Sequence, residues 1–243
     1  MAQGGQIHIG TSGWHYRHWQ GRFYPPGVAM SGYLTYYAER LASVEINSSF
    51  YRLPAETTLL RWRDETPTGF IFALKASRFI THQKKLKEPE RHLPLLLERA
   101  RVLGPKLGPV LFQLPPGWRF NGPRLEDFLQ ALPGDCRYAL EMRDPTWLNE
   151  EAYAALQRSG VAFCIYDLAG RQSPRLLSAG FVYLRLHGPG GAYQGCYSRE
   201  FLAELAGDIR AWAEEGREVF CYFDNDEAAY AAQNALELVE LVG

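Results

Sequence analysis

Eight times along the chain a short apolar run stops on a polar, mostly charged or amide, residue: ITS12, VEIN47, FALK75, LFQ113, LEMR143, CIYD167, LRLH187 and CYFDND226. The runs are short and rich in Val, Ile, Phe, Tyr and Leu, as buried strands are, and amphipathic stretches of helical length separate most of them. Alternation of strand and helix builds a parallel sheet with right-handed crossovers. Eight such units in 243 residues predict an α/β fold, a (β/α)8 TIM-type barrel with a parallel eight-stranded sheet, forming one domain over residues 1–243.

Side chains alternate across a strand, so parity separates residues that meet the helices from those turned toward the barrel interior and its mouth. In the second run Val44 and Ile46 form the helix-facing pair, which turns Glu45 and Asn47 inward. The fifth sends Glu141 and Arg143 inward, and the seventh Arg185 and His187. Lys75 closes the third run, Gln113 the fourth and Asp167 the sixth, while the eighth offers Tyr222, Asp224 and Asp226. One reading of these charges is a self-satisfied ion network that plugs the barrel. Because burying several charges costs solvation that their attraction barely repays, a ligand explains them better. Barrel active sites also lie at the carboxyl ends of the strands.

The composition is 47% hydrophobic, 14% aromatic and 22% charged, as in ordinary globular domains, and the formal net charge is -1. A balance so near zero gives no global attraction to nucleic acid or to an anionic membrane, so any affinity for an anion must be local. Cys136, Cys164, Cys196 and Cys221 are widely spaced, with no Cys-x-x-Cys, which argues against a zinc ribbon and for core thiols in a reducing compartment. No charged start leads into an apolar signal segment and no apolar run is long enough to cross a bilayer, so the expected location is the cytoplasm.

Three loops follow strands at the same face. GTSGWHYRHWQGRFYP crowds Trp14, Tyr16, Trp19, Phe23 and Tyr24 together, either to stack on a ring or to pack as a small lid; Trp14, nearest the strand, is the candidate for contact with substrate. After Lys75 come Arg78, Lys84, Lys85 and Lys87, a run that would guide a polyanion. Gly188, Gly190 and Gly191 follow the seventh strand, where bare N–H groups could meet phosphate oxygens or simply form turns. Asn225 and Asp226 are expected to open the last helix as caps, which leaves Asp224 as the pocket candidate.

Taken in order, GTSGW14, Glu45-x-Asn47-x-x-Phe50-Tyr51-x-x-Pro54, Lys75 with Ile80-Thr81-His82, LGPVLFQLPP116, Glu141-x-Arg143 with Trp147, RLHG188, Tyr197-Ser198 and FDND226 span nearly the whole chain. Their set resembles the YecE-like family, also called domain of unknown function 72. The resemblance implies a (β/α)8 barrel with an enzyme-like pocket and brings no established reaction. It also brings Tyr51 into the candidate substrate-binding set. Asp224 stands where the family's last motif commonly has asparagine.

The function expected is an acid–base enzyme, hydrolase-like, acting on a phosphate-bearing substrate such as a phosphodiester, sugar phosphate or nucleic acid. Lys75, Arg143 and Arg185 would hold the anion, with Trp14, Asn47, Tyr51, Gln113 and Asp167 completing the binding surface. Glu45 and Glu141 would divide proton transfer, with His187 and Asp224 as further catalytic candidates. No metal site or cofactor is firmly implied. A carboxylate-rich set of Glu45, Glu141, Asp167, His187 and Asp224 would suit magnesium or manganese, but three nearby cations oppose it. The alternatives are a carboxylate-pair glycoside-processing enzyme, which three cations fit poorly, and a non-catalytic module binding a small ligand or nucleic acid.

Overall fold

Each of the eight runs forms a strand in the computed structural model, which describes residues 4–243. The strands are β1 (Ile7–Ser12), β2 (Ser43–Ile46), β3 (Ile71–Lys75), β4 (Leu107–Gln113), β5 (Tyr138–Glu141), β6 (Ala162–Leu168), β8 (Phe181–Leu186) and β9 (Glu218–Phe223); a two-residue β7 (Arg171–Gln172) lies between the sixth and seventh of these. Neighbours run parallel in the order β5-β4-β3-β2-β1-β9-β8-β6, and pairing of β5 with β6 closes the ring. The short β7 is antiparallel, folded back on β6. The expected TIM-type barrel is therefore the fold.

Parity sorts the core as the strand pattern requires. Ala73, Leu111, Ala139, Cys164, Tyr183, Phe220 and Tyr222 fill the barrel interior. Val44, Phe72, Leu74, Phe112, Leu140 and Leu184 belong to the larger core between sheet and helices. Covering each such aliphatic or aromatic side chain is worth about 1.5–3 kcal/mol, so the two shells fix the register of every strand.

Among the described residues, seven α-helices surround the ring: α1 (Tyr33–Ala38), α2 (Glu56–Glu65), α3 (Pro89–Arg101), α4 (Gly122–Gln130), α5 (Glu150–Ser159), α6 (Arg199–Glu214) and α7 (Tyr230–Val242). Local chemistry sets several ends. Asn121, Asn149 and Ser198 accept hydrogen bonds from the backbone N–H groups of Arg124, Ala152 and Phe201, and α5 stops at Gly160 with φ 62°. Asn225 and Asp226, expected as caps, are not: α7 starts at Tyr230 after Ala229, whose side chain caps nothing. No helix joins β6 to β8. The link, residues 169–180, holds Gly170, Pro174 and Gly180 and turns back through β7, which leaves too little chain for a crossover helix.

The aromatic loop after β1 packs as a lid cluster. Trp19 is fully buried, Tyr24 stacks on Tyr33 at 3.8 Å between ring centroids, and the Tyr24 hydroxyl donates to the Trp14 carbonyl at 2.7 Å. Cys164 and Cys221 are core thiols, whereas Cys196 is exposed and Cys136 half-buried. Among the described residues no helix is long and apolar enough to cross a membrane.

Candidate functional site

At the carboxyl end of the barrel, the Arg185 guanidinium sits fully buried among three carboxylates. Its Nη2 donates to Glu45 Oε1 at 2.8 Å and to Asp224 Oδ2 at 2.9 Å, and its Nη1 donates to Glu141 Oε2 at 2.7 Å. The remaining lone pairs are also used. Glu45 accepts from the Ser12 hydroxyl at 2.6 Å and the Tyr183 hydroxyl at 2.7 Å, and Glu141 accepts from Arg143 Nε at 2.6 Å. His187 bridges the group, with Nδ1 3.1 Å from Asp224 Oδ2 and Nε2 3.2 Å from Arg143 Nη2. Burial alone would raise the Glu141 and Asp224 carboxyls. The neighbouring guanidiniums and His187 outweigh it, holding Glu141 well below the usual carboxylate range and Asp224 below its ordinary value.

Above this cluster opens a cavity of about 420 Å3, lined by Tyr16, Asn47, Phe50, Tyr51, Lys75, His82, Gln113, Pro116, Arg143, Tyr193, Asp224 and Asp226. A second cavity of about 410 Å3, between Gly13 and Tyr51, shares Tyr16, Asn47 and Tyr51 with it. Lys75 reaches the mouth from the end of β3. Its carbonyl is fixed by the Ser49 hydroxyl at 2.5 Å, and its Nζ lies 4.4 Å from the Phe50 ring centroid. Lys75 is 5% exposed, yet among the described residues its amine has neither a hydrogen-bond acceptor nor a carboxylate paired with it. Burial, followed by repulsion from Arg185, pushes its pKa down to about 8 against the pull of Asp224, Glu45 and Glu141.

The candidates thus fall into three groups. Lys75, Asn47, Tyr51, Gln113, Arg143 and Asp224 line the mouth as parity and motif order predict. Glu45, Glu141, Arg185 and His187 come together beneath it, each 0% exposed, where their mutual bonds enclose them in the floor and not in the lining. Asp167 and Trp14 leave the site. On β6 the inward positions belong to Ala162, Cys164 and Tyr166, so Asp167 points out of the barrel and accepts from the Tyr197 hydroxyl at 3.2 Å. The Trp14 indole, 2% exposed, packs edge-on against Trp62 at 4.8 Å; Trp14 belongs to the lining of the second cavity and not of the mouth.

The loop expectations are corrected likewise. Lys84 pairs with Glu88, and none of Arg78, Lys84, Lys85 and Lys87 lines the mouth, although His82 from the same segment does. Gly188 serves backbone geometry: its φ is 109°, its N–H donates to the Tyr197 hydroxyl at 2.8 Å, and an added Cβ would lie 2.2 Å from the Gln194 carbonyl oxygen. Gly188→Ala should therefore lower stability by about 1–3 kcal/mol in urea unfolding, and an unchanged midpoint would contradict that placement.

Asp226 belongs to the site and not to a helix end. Its side chain lines the mouth, accepts from the Trp19 indole N–H, and lies 3.3 Å from His18 Nε2. Burial raises its pKa to about 6 against the pull of those two partners. Ser12 and Tyr183 are also part of the floor, and the signal that could have found them is the inward parity they share with Glu45 and Arg185. Tyr193 comes from a loop and His82 from the short π-helical turn Phe79–Gln83, both outside the strands, where strand parity gives no signal. The magnesium or manganese expectation does not fit the donor set. Arg185 already occupies the centre of the carboxylates, and among the described residues no cluster of three or more His, Cys, Asp or Glu is placed to hold a metal.

A closed parallel barrel with a polar cavity over the carboxyl ends of its strands defines a TIM-type barrel, with the cavity at the end where such barrels carry their sites. Residues 8–243 match the family described as Protein of unknown function DUF72, and the chain belongs to that family. It is 34% identical to UPF0759 protein YecE of Escherichia coli (strain K12) over 143 residues, covering 57% of this chain and 49% of that protein, about half its length. It is also 25% identical to UPF0759 protein YunF of Bacillus subtilis (strain 168), covering 97% of this chain and 94% of that one. A crystal structure of a DUF72 family protein from Thermotoga maritima MSB8 superposes with a TM-score of 0.82 at 25% identity, covering 98% of this chain and 99% of that one.

Proposed function

We propose that the mouth is the active site of an acid–base enzyme acting on a small phosphate-bearing substrate. The observation that carries this reading is Lys75, a buried amine facing the cavity with no carboxylate paired to it. Asp224, Glu45 and Glu141 lie near enough to favour its charge, but burial and Arg185 outweigh them, and a bound anion would complete the compensation. Arg143 extends the same surface: its Nε is held by Glu141, its Nη2 lies 3.2 Å from His187 Nε2, its Nη1 donates to the Tyr193 hydroxyl at 3.1 Å, and the residue lines the cavity. Asn47, Tyr51 and Gln113 supply orienting polar groups. Asp226, with a pKa of about 6, is suited to exchange a proton near neutrality.

Enclosure of Glu45 and Glu141 removes the pair that would activate water or flank a glycosidic bond, so neither hydrolysis nor glycoside chemistry gains support from them. The floor instead positions: Arg185 holds Asp224 and Glu141, and Glu141 holds Arg143. A cavity of about 420 Å3 suits a small molecule better than a nucleic-acid strand.

Sulfate, whose charge does not change near neutrality, tests the anion site by calorimetry. It should bind at pH 7, weaken as pH rises through 8 and Lys75 loses its proton, and weaken at least tenfold in Lys75→Met, about 1.4 kcal/mol. Affinity should also be higher below pH 6, where Asp226 is protonated, and Asp226→Asn should remove that lower step. No saturable binding, or binding indifferent to Lys75 and Arg143, would overturn the proposal.

A further inference from the structure

The Lys75 amine has a second property that anion binding does not use: it is placed as a nucleophile. In a folded protein an exposed lysine is protonated and solvated at neutral pH. Lys75 is neither well solvated nor tied by a hydrogen bond, and it ends in a cavity large enough for a small molecule. Its lone pair, once free of the proton, has the Phe50 ring at one side and the cavity at the other. A pKa of about 8 leaves roughly a hundredfold or more neutral amine at pH 7.5 than an ordinary lysine has. The same cavity is lined by Asp226, a carboxyl able to give a proton near neutrality, and by Arg143, a guanidinium able to hold an anionic group.

We infer that Lys75 forms an imine with the carbonyl carbon of an aldehyde or ketone that carries a phosphate group, the phosphate resting on Arg143. The amine lone pair makes the new C–N bond as the carbonyl π-electrons move to oxygen. One of the two protons on nitrogen moves to that oxygen to give the neutral carbinolamine. Its hydroxyl takes a second proton, for which Asp226 is the donor facing the cavity, and leaves as water, so that Lys75 is left as the protonated imine C=NH+. No oxidant or reductant is consumed. A protonated imine draws electrons from the adjacent carbon, so the chemistry it serves is proton transfer or bond cleavage at that carbon. The iminium also keeps a positive charge at this position, so the counter-charge to the phosphate is not lost. The phosphate half of the inference rests on the function proposed above; the imine half stands on Lys75 alone.

The test uses glycolaldehyde phosphate and glycolaldehyde as probes, borohydride to reduce any imine to a stable secondary amine, and mapping of the adduct by mass spectrometry. The chain has five lysines, Lys75, Lys84, Lys85, Lys87 and Lys106, so the other four report background labelling. At pH 7.5 the phosphorylated probe should label Lys75 at least tenfold faster than any other lysine, and sulfate should protect it. Labelling confined to the surface lysines would overturn the imine, even if sulfate binds the mouth by calorimetry. Labelling of Lys75 by both probes alike, without protection, would leave the imine standing and overturn the phosphate reading. Lys75→Arg provides the control that retains the charge: sulfate binding should persist while the mouth adduct disappears. Because the lysine map is read on the wild-type chain, a folding defect in that variant does not change the outcome.

Discussion

Replacing Arg185 by methionine should destabilise the protein by about 3–5 kcal/mol at pH 7, the largest loss expected from any single change at the mouth. The guanidinium is the shared partner of Glu45, Glu141 and Asp224, all nearly or fully buried, and is itself fully buried. Without it three carboxylates remain in a low-dielectric floor, left with Ser12, Tyr183, His187 and Arg143 as partners. The pH dependence carries the mechanism. In the wild type, the depressed folded-state pKa values of Glu141 and Asp224 contribute stability that is present above their ordinary values of 4.5 and 3.8 and is lost as pH falls through the folded ones. In the variant Asp224 loses its main counter-charge and Glu141 keeps Arg143 but loses its second, so both pKa values rise and acidification from pH 7 toward 5 relieves it. Urea unfolding should show the gap between the two proteins narrowing over that range. A variant within about 1 kcal/mol of wild type would mean that the cluster does not hold the floor together.

Lys75→Met should have the opposite effect on stability. A folded-state value of about 8 against an ordinary 10.5 corresponds to a penalty on the charged form of up to about 3 kcal/mol. The folded pKa lies below the unfolded one, so the unfolded chain binds more protons between pH 8 and 10.5. The wild type therefore gains stability with rising pH across that window, and the penalty is complete below it. Methionine, similar in length and able to lie against Phe50, should stabilise the protein by about 1–3 kcal/mol at pH 7, with the difference closing by about pH 10.5. The same change should weaken sulfate binding at least tenfold and remove every adduct at the mouth. Gain of stability with loss of binding is what a residue retained for function gives, whereas destabilisation at all pH values would mark Lys75 as a structural cation.

The barrel is legible in the sequence because buried parallel strands leave a coarse signal, apolar runs at regular spacing, that survives uncertainty at their ends. Parity puts Lys75, Arg143, Glu141, Arg185 and Asp224 at the mouth end because alternation is imposed by the backbone. It does not tell lining from floor. Glu45 and Lys75 both point inward near the ends of their strands, yet Glu45 is enclosed by Ser12, Tyr183 and Arg185 while Lys75 opens on the cavity. That difference comes from long-range pairing, which leaves no local pattern. Asp167 departs from expectation for a smaller reason: the strand runs through Leu168, and counting inward positions from Cys164 gives Tyr166, not its neighbour. Arg185 closes an ion network, as one reading of the charges has it, while a cavity lined by Lys75 stays open above that network.

The most direct measurement is the pKa of the Lys75 amine, read from lysine 13Cε shifts during a pH titration with and without sulfate. With five lysines in the chain, the Lys75 signal can be assigned by its absence in Lys75→Arg. Titration near 8 is expected in the free protein, with a rise of about a unit or more when sulfate occupies the mouth. Titration near 10.5, unmoved by sulfate, would contradict the assignment of Lys75 as the buried cation of an anion-binding site.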